Sequence, residues 1–287
     1  MIVDKVTDMS IRITYEGATN IRPLMIISDV HWDSKDCDRD LLKAHLDDAV
    51  KQNALILIIG DLFDLMEGRN DRRRSNAARM EHYAGNYLQK VVLDAVEWFK
   101  PYANNIAMVS HGNHETSVVK HVQVQPINWF VYELNKLGSP VIEGNYQGFI
   151  ILQAIYIDKE TKAMTGSFKY KIFYHHGLWG GVVSKGTQSV MRFGAVVPDA
   201  DMIVTGHTHD QWMMLHTRYK LDKAYNVSLH DQIHLKLGTY KNEFKTGSGF
   251  AIEKIGLPKP IGGWFVKFVV KRHNNKMVIV PNPEMIK

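Results

Sequence analysis

Five short segments of this sequence place carboxylate, imidazole and amide side chains directly after an apolar run. They are Asp29-Val30-His31 after Leu24–Ser28, Gly60-Asp61-Leu62-Phe63-Asp64 after Ala54–Ile59, and Gly112-Asn113-His114-Glu115 after Ile106–Ser110, followed by His175-His176 after residues 170–174 (YKIFY) and Gly206-His207-Thr208-His209 after Asp201–Thr205. Short apolar runs bounded by turn residues read as strands buried on both faces. In open α/β sheets the carboxyl ends of neighbouring strands gather at one edge, where ligands bind. The five segments can therefore converge although they are spread from residue 29 to residue 209. The i, i+2 spacing of Asp29/His31 and His207/His209 puts both side chains of each pair on one side of an extended segment. Carboxylate, imidazole and amide oxygen suit divalent Mn, Fe or Zn better than Ca or Mg. Two such ions roughly 3.5–4 Å apart need a bridging ligand, most naturally a carboxylate. Asp61, at the end of the most aliphatic strand, is the candidate. Such a pair polarises a phosphoryl group and lowers the pKa of a bridging water, making a nucleophile near neutral pH.

Each segment also has a plainer reading. Asp29-x-His31 and Gly60-Asp61 alone fit a cap or a turn. Gly112-Asn113-His114 is more specific, and two histidines flanking Thr208 at a strand end have few structural uses. If the fourth strand continues, His175 and His176 face opposite ways, so one is a ligand and the other a polar supporting group. What separates the set from coincidence is its order and its repeated strand context.

These residues need elements to hold them. Ile11–Tyr15 alternates as an edge strand, and Asp36–Gln52 has the apolar spacing of an amphipathic helix capped by Asp38 or Asp40. A basic loop, Glu67–Asn76, leads to a predicted helix from about Ala77 to Lys100, stopped by Pro101. A short helix is expected over Trp129–Leu137, closed by Gly138 in the left-handed conformation. Strands follow at Phe149–Ile157 and Lys169–Tyr174, and the chain after about residue 211 is β-rich, at Gln211–His216, Tyr225–Leu237, Trp264–Lys271 and Met277–Val280. No fixed-period repeat or low-complexity linker interrupts it, so residues 1–287 read as a single domain.

Composition sets the outer bounds. A chain of 287 residues, 45% hydrophobic and 23% charged, has the balance of a soluble globular protein. The formal net charge of +5 suits a phosphate-bearing partner without demanding one. One cysteine, Cys37, allows no intrachain disulfide and fits a reducing compartment. Its acidic neighbours disfavour the thiolate, so it reads as a surface thiol without function. There is no apolar run of membrane-spanning length, and the first residues lack a basic region followed by an apolar one. The expected location is the cytoplasm, with no membrane partner.

The five segments match, in order, the motifs of the calcineurin-like metallophosphoesterases, and the chain resembles that family from about residue 24 to 210. The resemblance implies an α/β fold, a four-layer α/β/β/α sandwich with a dinuclear metal centre between the loops. It implies that Asp29, His31, Asp61 and His209 hold one ion, and that Asp61, Asn113, His175 and His207 hold the other. His175 is chosen over His176 because family motifs use the histidine immediately after the strand. His114 is implied to be the imidazole that contacts phosphate and protonates the leaving group. Asp64, Glu115 and His176 are read as supports that orient ligands. The implied cofactor is a pair of divalent ions, Mn2+ first, with Fe or Zn as alternatives.

Substrate choice rests on the segments between motifs. Arg69, Arg72, Arg73 and Arg74 follow the Asp64 strand end and read either as a solvated loop or as contacts to a phosphate backbone. Arg79 would extend this basic side onto the following helix, diluted by Glu81. Trp179, among Gly177, Gly180, Gly181 and Gly186, forms a loop after the fourth strand end that allows close approach of a ligand or merely crosses over. Trp32 can stack on a base or pack in the core. These features favour a phosphodiesterase acting on DNA, RNA or nucleotides, similar to the DNA-repair nuclease branch. The alternatives are a phosphomonoesterase on a phosphoprotein or small metabolite, and a scaffold that keeps the fold without turnover.

Overall fold

The computed structural model describes all residues except 17–20, 67–77, 83–84, 159, 162, 178–183, 222–223, 246–251, 253–255 and 274–275. In chain order the elements are β1 (Ile2–Thr7), β2 (Ser10–Glu16), β3 (Leu24–Ile27), α1 (Arg39–Lys51), β4 (Leu55–Ile59), α2 (Tyr87–Phe99), β5 (Ile106–Ser110), α3 (Asn113–Val122) and α4 (Pro126–Lys136). They continue with β6 (Ile142–Gly144), β7 (Gln147–Ile157), β8 (Met164–His175), α5 (Gln188–Val196), β9 (Met202–Thr205), β10 (Trp212–Leu221), β11 (Val227–Lys236), β12 (Gly263–His273) and β13 (Lys276–Ile286). One sheet has the order β13-β12-β3-β4-β5-β6, and the other β1-β2-β7-β8-β9-β11-β10.

The aliphatic strands are buried on both sides because each side meets a different layer. Met25, Ile27, Ile56 and Ile58 pack with Leu42, Leu46, Val92, Phe99, Phe130 and Leu134 of the helices on one side. Leu24, Ile26, Leu55, Leu57 and Ile59 face Ile150, Leu152, Ile172, Met202 and Val204 of the other sheet. On that sheet's far side Phe173 and Ile203 meet Phe193 and Val197 at α5. The order is therefore helix, sheet, sheet, helix, as the resemblance implies. All five side chains of β4 are buried, and their burial contributes on the order of 10 kcal/mol. That makes β4 a fixed mount for the turn that follows it.

Local signals account for most boundaries. Asp38 rather than Asp40 caps α1, its Oδ1 accepting the Leu41 N–H at 3.2 Å. At the end of α4, Gly138 has φ +85°. Its N–H donates to Asn135 O at 2.9 Å and that of Ser139 to Leu134 O at 3.1 Å, the paired closure that a left-handed Gly permits. The helix expected from Ala77 starts only at Tyr87, because Gly85 and Asn86 interrupt the pattern. Met80–His82 is a single 3-10 turn and residue 77 lies outside the described residues. The β-rich end after residue 211 divides between the sheets, β10 and β11 extending one and β12 and β13 the other. Among the described residues no helix is long and apolar enough to cross a membrane.

Cys37 corrects an expectation. It is buried, bridged to Lys241 and packed with the helix-side core. Burial pushes its thiol up to about 12. Folded protein should therefore leave Cys37 unlabelled by an aromatic disulfide reagent at pH 8, and unfolding in urea should release one reactive thiol per chain; rapid labelling of the native chain would contradict the burial.

Candidate metal centre

The turns after β3 and β4 are tied side by side. The N–H groups of Asp29, His31 and Trp32 donate to the carbonyls of Gly60, Asp61 and Leu62 at 3.2, 3.1 and 2.8 Å. From the other sheet, the Gly206 N–H donates to His176 O at 2.7 Å, joining the ends of β8 and β9. Asp29, His31, Asp61, His207 and His209 all have φ between +48° and +73°. A left-handed non-Gly residue costs about 1 kcal/mol, and such strain gathers at functional sites.

The glycines before these residues are there for space. A Cβ on Gly112 would lie 2.1 Å from Asp61 Oδ1, and one on Gly206 2.1 Å from Ser28 Oγ. On Gly60, which has φ +74°, a Cβ would lie 2.4 Å from His176 Nδ1. Gly60→Ala should therefore cost about 1 kcal/mol or more in backbone strain and displace the His176 ring. The expected result is at least about tenfold weaker Mn2+ binding by calorimetry; unchanged affinity would show that the ring is not held against Gly60.

Three groups of donor atoms lie close enough to share an ion: Asp29, His31 and His209; Asp61, His176 and His207; and His31, Asp64 and His114. Asp29 Oδ2 accepts from Ser28 Oγ at 2.6 Å and the His207 N–H at 2.9 Å. Its Oδ1 is 3.2 Å from His209 Nε2 and 4.0 Å from His176 Nε2, between the first two groups. That oxygen is buried without a hydrogen bond. Asn113 Oδ1 sits 2.7 Å from His207 Nδ1 and 3.1 Å from His176 Nε2. The second ring nitrogens are already engaged. His31 Nδ1 lies 2.8 Å from Asp64 Oδ1, and His176 Nδ1 is 3.0 Å from Ile59 O. A carbonyl only accepts, so His176 carries its hydrogen on Nδ1 and turns Nε2 to Asp61 Oδ2 at 3.1 Å. Fixing one nitrogen on a carboxylate or carbonyl is how metal-binding imidazoles are oriented. Donor types, convergence and an Asp29 oxygen buried without a hydrogen bond all fit divalent cations.

His175 is not brought to this cluster. Its Nδ1 accepts the Gly177 N–H at 2.9 Å, and its ring packs on Tyr146 and Phe193 at 5.2 Å each. Strand parity explains the exchange. Ile172 and Tyr174 face the other sheet while Phe173 faces α5, so His175 follows Phe173 outward and His176 follows Tyr174 inward. The geometry therefore corrects the choice of His175 and puts His176 beside Asp61 and Asn113.

Supports surround the donors. Glu115 Oε2 accepts the N–H groups of Gly112 and Asp61 at 2.8 and 3.2 Å, and Oε1 that of Phe63 at 3.0 Å. Asp33, absent from the sequence reading, accepts from Asp64 N, Leu65 N and Tyr87 Oη at 2.6, 3.0 and 2.6 Å. Lys241, also missed, places Nζ 3.0 Å from Asp64 Oδ1. Its only sequence signal is a lysine directly after Gly238-Thr239-Tyr240, in the connection that follows β11. Lys236 of β11 is buried as well, and burial lowers its ammonium to about 8.

Charge within the cluster is set by burial and then by pairing. Burial opposes ionisation of Asp29, and His209 and His176 outweigh it, holding the carboxyl below its usual range. Asp61 is held low in the same way by His176 and His114, and Asp64 by His31 and Lys241. Burial works against charge on His176 too, yet Asp61 and Asp29 hold it up to about 10. A cation bound here competes with that proton for Nε2. Burial lowers His31 to about 4, leaving it neutral and able to ligate.

Residues read as substrate contacts fare differently. Arg69, Arg72, Arg73, Arg74 and Trp179 lie outside the described residues, as do Gly180 and Gly181. Arg79 precedes the 3-10 turn instead of riding on a helix, and its Nη2 donates to Cys37 O at 3.0 Å. Trp32 is 1% exposed, with the Arg39 guanidinium 3.7 Å above its ring. It is a core residue and cannot stack on a base.

The calcineurin-like phosphoesterase family model matches residues 22–211, well over half of the chain and including every residue of the three donor groups. No curated protein matches the chain in sequence. Among solved structures, vacuolar protein sorting 29 from Cryptosporidium parvum is 14% identical, with 92% of this chain and 98% of that one covered and a TM-score of 0.34. A predicted phosphoesterase from Streptococcus pneumoniae is 12% identical over 92% and 98%, with a TM-score of 0.32. Vps29 from Entamoeba histolytica, complexed with Zn2+, is 10% identical over 91% and 98%, with a TM-score of 0.33. Likeness at that level carries no weight of its own. The sequence match over the whole ligand-bearing region does: the chain belongs to the calcineurin-like phosphoesterase family and is a metal-dependent phosphoester hydrolase.

Proposed function

We propose that the chain hydrolyses phosphodiester bonds in nucleic acid or nucleotides at a centre of two divalent ions, Mn2+ first among them. The observation that carries this reading is Asp29 Oδ1, buried without a hydrogen bond between His209 of one donor group and His176 of the next. Asp29, His31, Asp61 and His209 would hold one ion, and Asp61, Asn113, His176 and His207 the other. Asp61 is the proposed bridge, since both His176 and His31 act on its carboxylate. Bound ions supply electrophilic assistance at the phosphoryl oxygens and an acidic water as nucleophile.

The chain's own residues do the rest. The Asp64 carbonyl accepts from His114 Nδ1, so that nitrogen keeps its hydrogen and Nε2 is the one that exchanges protons. Nε2 lies 3.9 Å from Asp61 Oδ2, at the edge of the donor cluster. From there it protonates the leaving oxygen as the ester bond breaks. Asp64 and Lys241 hold the supporting side of His31, and Glu115 ties the turn before Asp61 to the start of α3. The net charge of +5 and the arginines Arg72, Arg73 and Arg74 after the Asp64 strand end support a polyanionic substrate, with Trp179 as a proposed contact. The single cysteine supports a reducing, cytoplasmic setting.

The test is a panel with Mn2+: bis- and mono-(4-nitrophenyl) phosphate, cyclic nucleotides, RNA, and single- and double-stranded DNA. Diester cleavage that His114→Ala lowers by about a hundredfold or more is expected. Turnover of the monoester alone would replace the diester reading with a phosphomonoesterase.

A further inference from the structure

We propose that Lys236, Thr208 and Gly186 form an oxyanion pocket that holds a second phosphate group of the substrate beside the reacting one. The inference rests on the phosphodiester reading and deepens it. Lys236 ends β11 and stands in parallel register with Thr205, one residue before the Gly206–His209 turn. Leu235 and Leu237 on either side of it are buried, and so is Lys236 at 1% exposure. Among the described residues its ammonium makes no salt bridge and no hydrogen bond; nearby Asp210 is engaged by Lys259 at 3.1 Å. The carboxylates of Asp29 and Asp210 act on it only from beyond hydrogen-bond reach; a buried ammonium without a direct partner is costly, so this strand end is arranged for a group that arrives.

Thr208 supplies the second unpaired group. Its Oγ1 is buried and makes no hydrogen bond. The two polar atoms face one spot: a Cβ on Gly186 would lie 3.3 Å from Lys236 Nζ and 3.4 Å from Thr208 Oγ1. Gly186, with φ +74°, lies in the turn entering α5, whose amino end favours negative charge. An ammonium and a hydroxyl converging there exclude a cation and leave a neutral group's partner charge unmet. A phosphate oxygen answers both. Lys236 is in register with Thr205, just before His207, and its charge acts on Asp29 and His207, so an anion held beside it is adjacent to the metal centre. It would be the flanking phosphate of a nucleic-acid strand or the other phosphate of a nucleotide pyrophosphate.

The test compares wild type with Lys236→Met and Thr208→Val, the second nearly isosteric in case the first misfolds. In chelator, without metal, inorganic phosphate should raise the melting temperature of wild type and raise it less in both variants. With Mn2+, wild type should prefer 5′-phosphorylated dithymidine monophosphate over the unphosphorylated dinucleotide by about tenfold in kcat/KM. Both variants should bring that ratio toward one. ADP-ribose in place of the phosphorylated dinucleotide distinguishes a pyrophosphate source from a nucleic-acid one. A phosphate-induced shift that persists in both variants overturns the pocket whatever the turnover. Absence of all diester turnover in wild type would instead sink the phosphodiesterase reading, and the metal-free shift would still decide the pocket.

Discussion

Asp61→Asn should lower kcat/KM by about a thousandfold and cut the metal content of the Mn2+-loaded chain to one ion or fewer. The amide cannot satisfy both neighbours of the carboxylate. Oδ1 accepts the His114 N–H at 2.9 Å, and Oδ2 lies 3.1 Å from His176 Nε2. If the Asn oxygen keeps the first contact, its NH2 faces Nε2 and blocks the nitrogen that would ligate. If the amide turns over, NH2 meets the His114 N–H and the start of α3 shifts. Either way one unit of negative charge leaves a site proposed to balance two dications. The change should leave the fold intact, since the amide has nearly the shape of the carboxylate and the flanking Gly60 and Leu62 are untouched. Elemental mass spectrometry, far-UV circular dichroism and initial rates on bis(4-nitrophenyl) phosphate decide it. Two ions retained per chain would remove Asp61 from the bridging position.

Much of this site was legible because its elements obey simple patterns. β4 has only aliphatic residues since both its faces are covered, and the Gly-Asp that ends it could be recognised at once. α3 was missed for the opposite reason. Only Glu115 and Val118 of that helix are buried, because its first residues serve the site, so the apolar periodicity that announces α1 is absent. The helix is held instead by the Glu115 carboxylate reaching back to the Gly112 N–H, half of the reciprocal cap that glutamate at this position makes. Lys236 escaped because lysine in a strand ordinarily marks a solvent face, and Lys241 because a lysine in a connecting segment ordinarily does so too. Here the strand end is turned toward buried carboxylates. Trp32 misled in the other direction, since adjacency in sequence to His31 says nothing of which way the next side chain points.

The choice between adjacent histidines offers the sharpest contrast. His176→Ala should cost about a hundredfold or more in kcat/KM and weaken Mn2+ binding, whereas His175→Ala should change either by less than about threefold. Parity separates the two: His175 shares the α5 side with Phe173, and its replacement removes ring contacts with Tyr146 and Phe193, a cost to stability of about 1 kcal/mol. His176 carries a further signature. Asp61 and Asp29 hold its proton up to about 10 against the opposing effect of burial. A cation must therefore displace a proton at neutral pH. Below that value each unit rise in pH removes part of the competition, so apparent Mn2+ affinity should climb from pH 6 to pH 8 by up to about tenfold per unit. Calorimetry in buffers of different ionisation enthalpy should show about one proton released per binding event in wild type and in His175→Ala. In His176→Ala the release should vanish and the pH dependence flatten. If His175→Ala is the variant that loses both metal and proton release, the inward face of β8 has been misassigned, and the donor set around Asn113 with it.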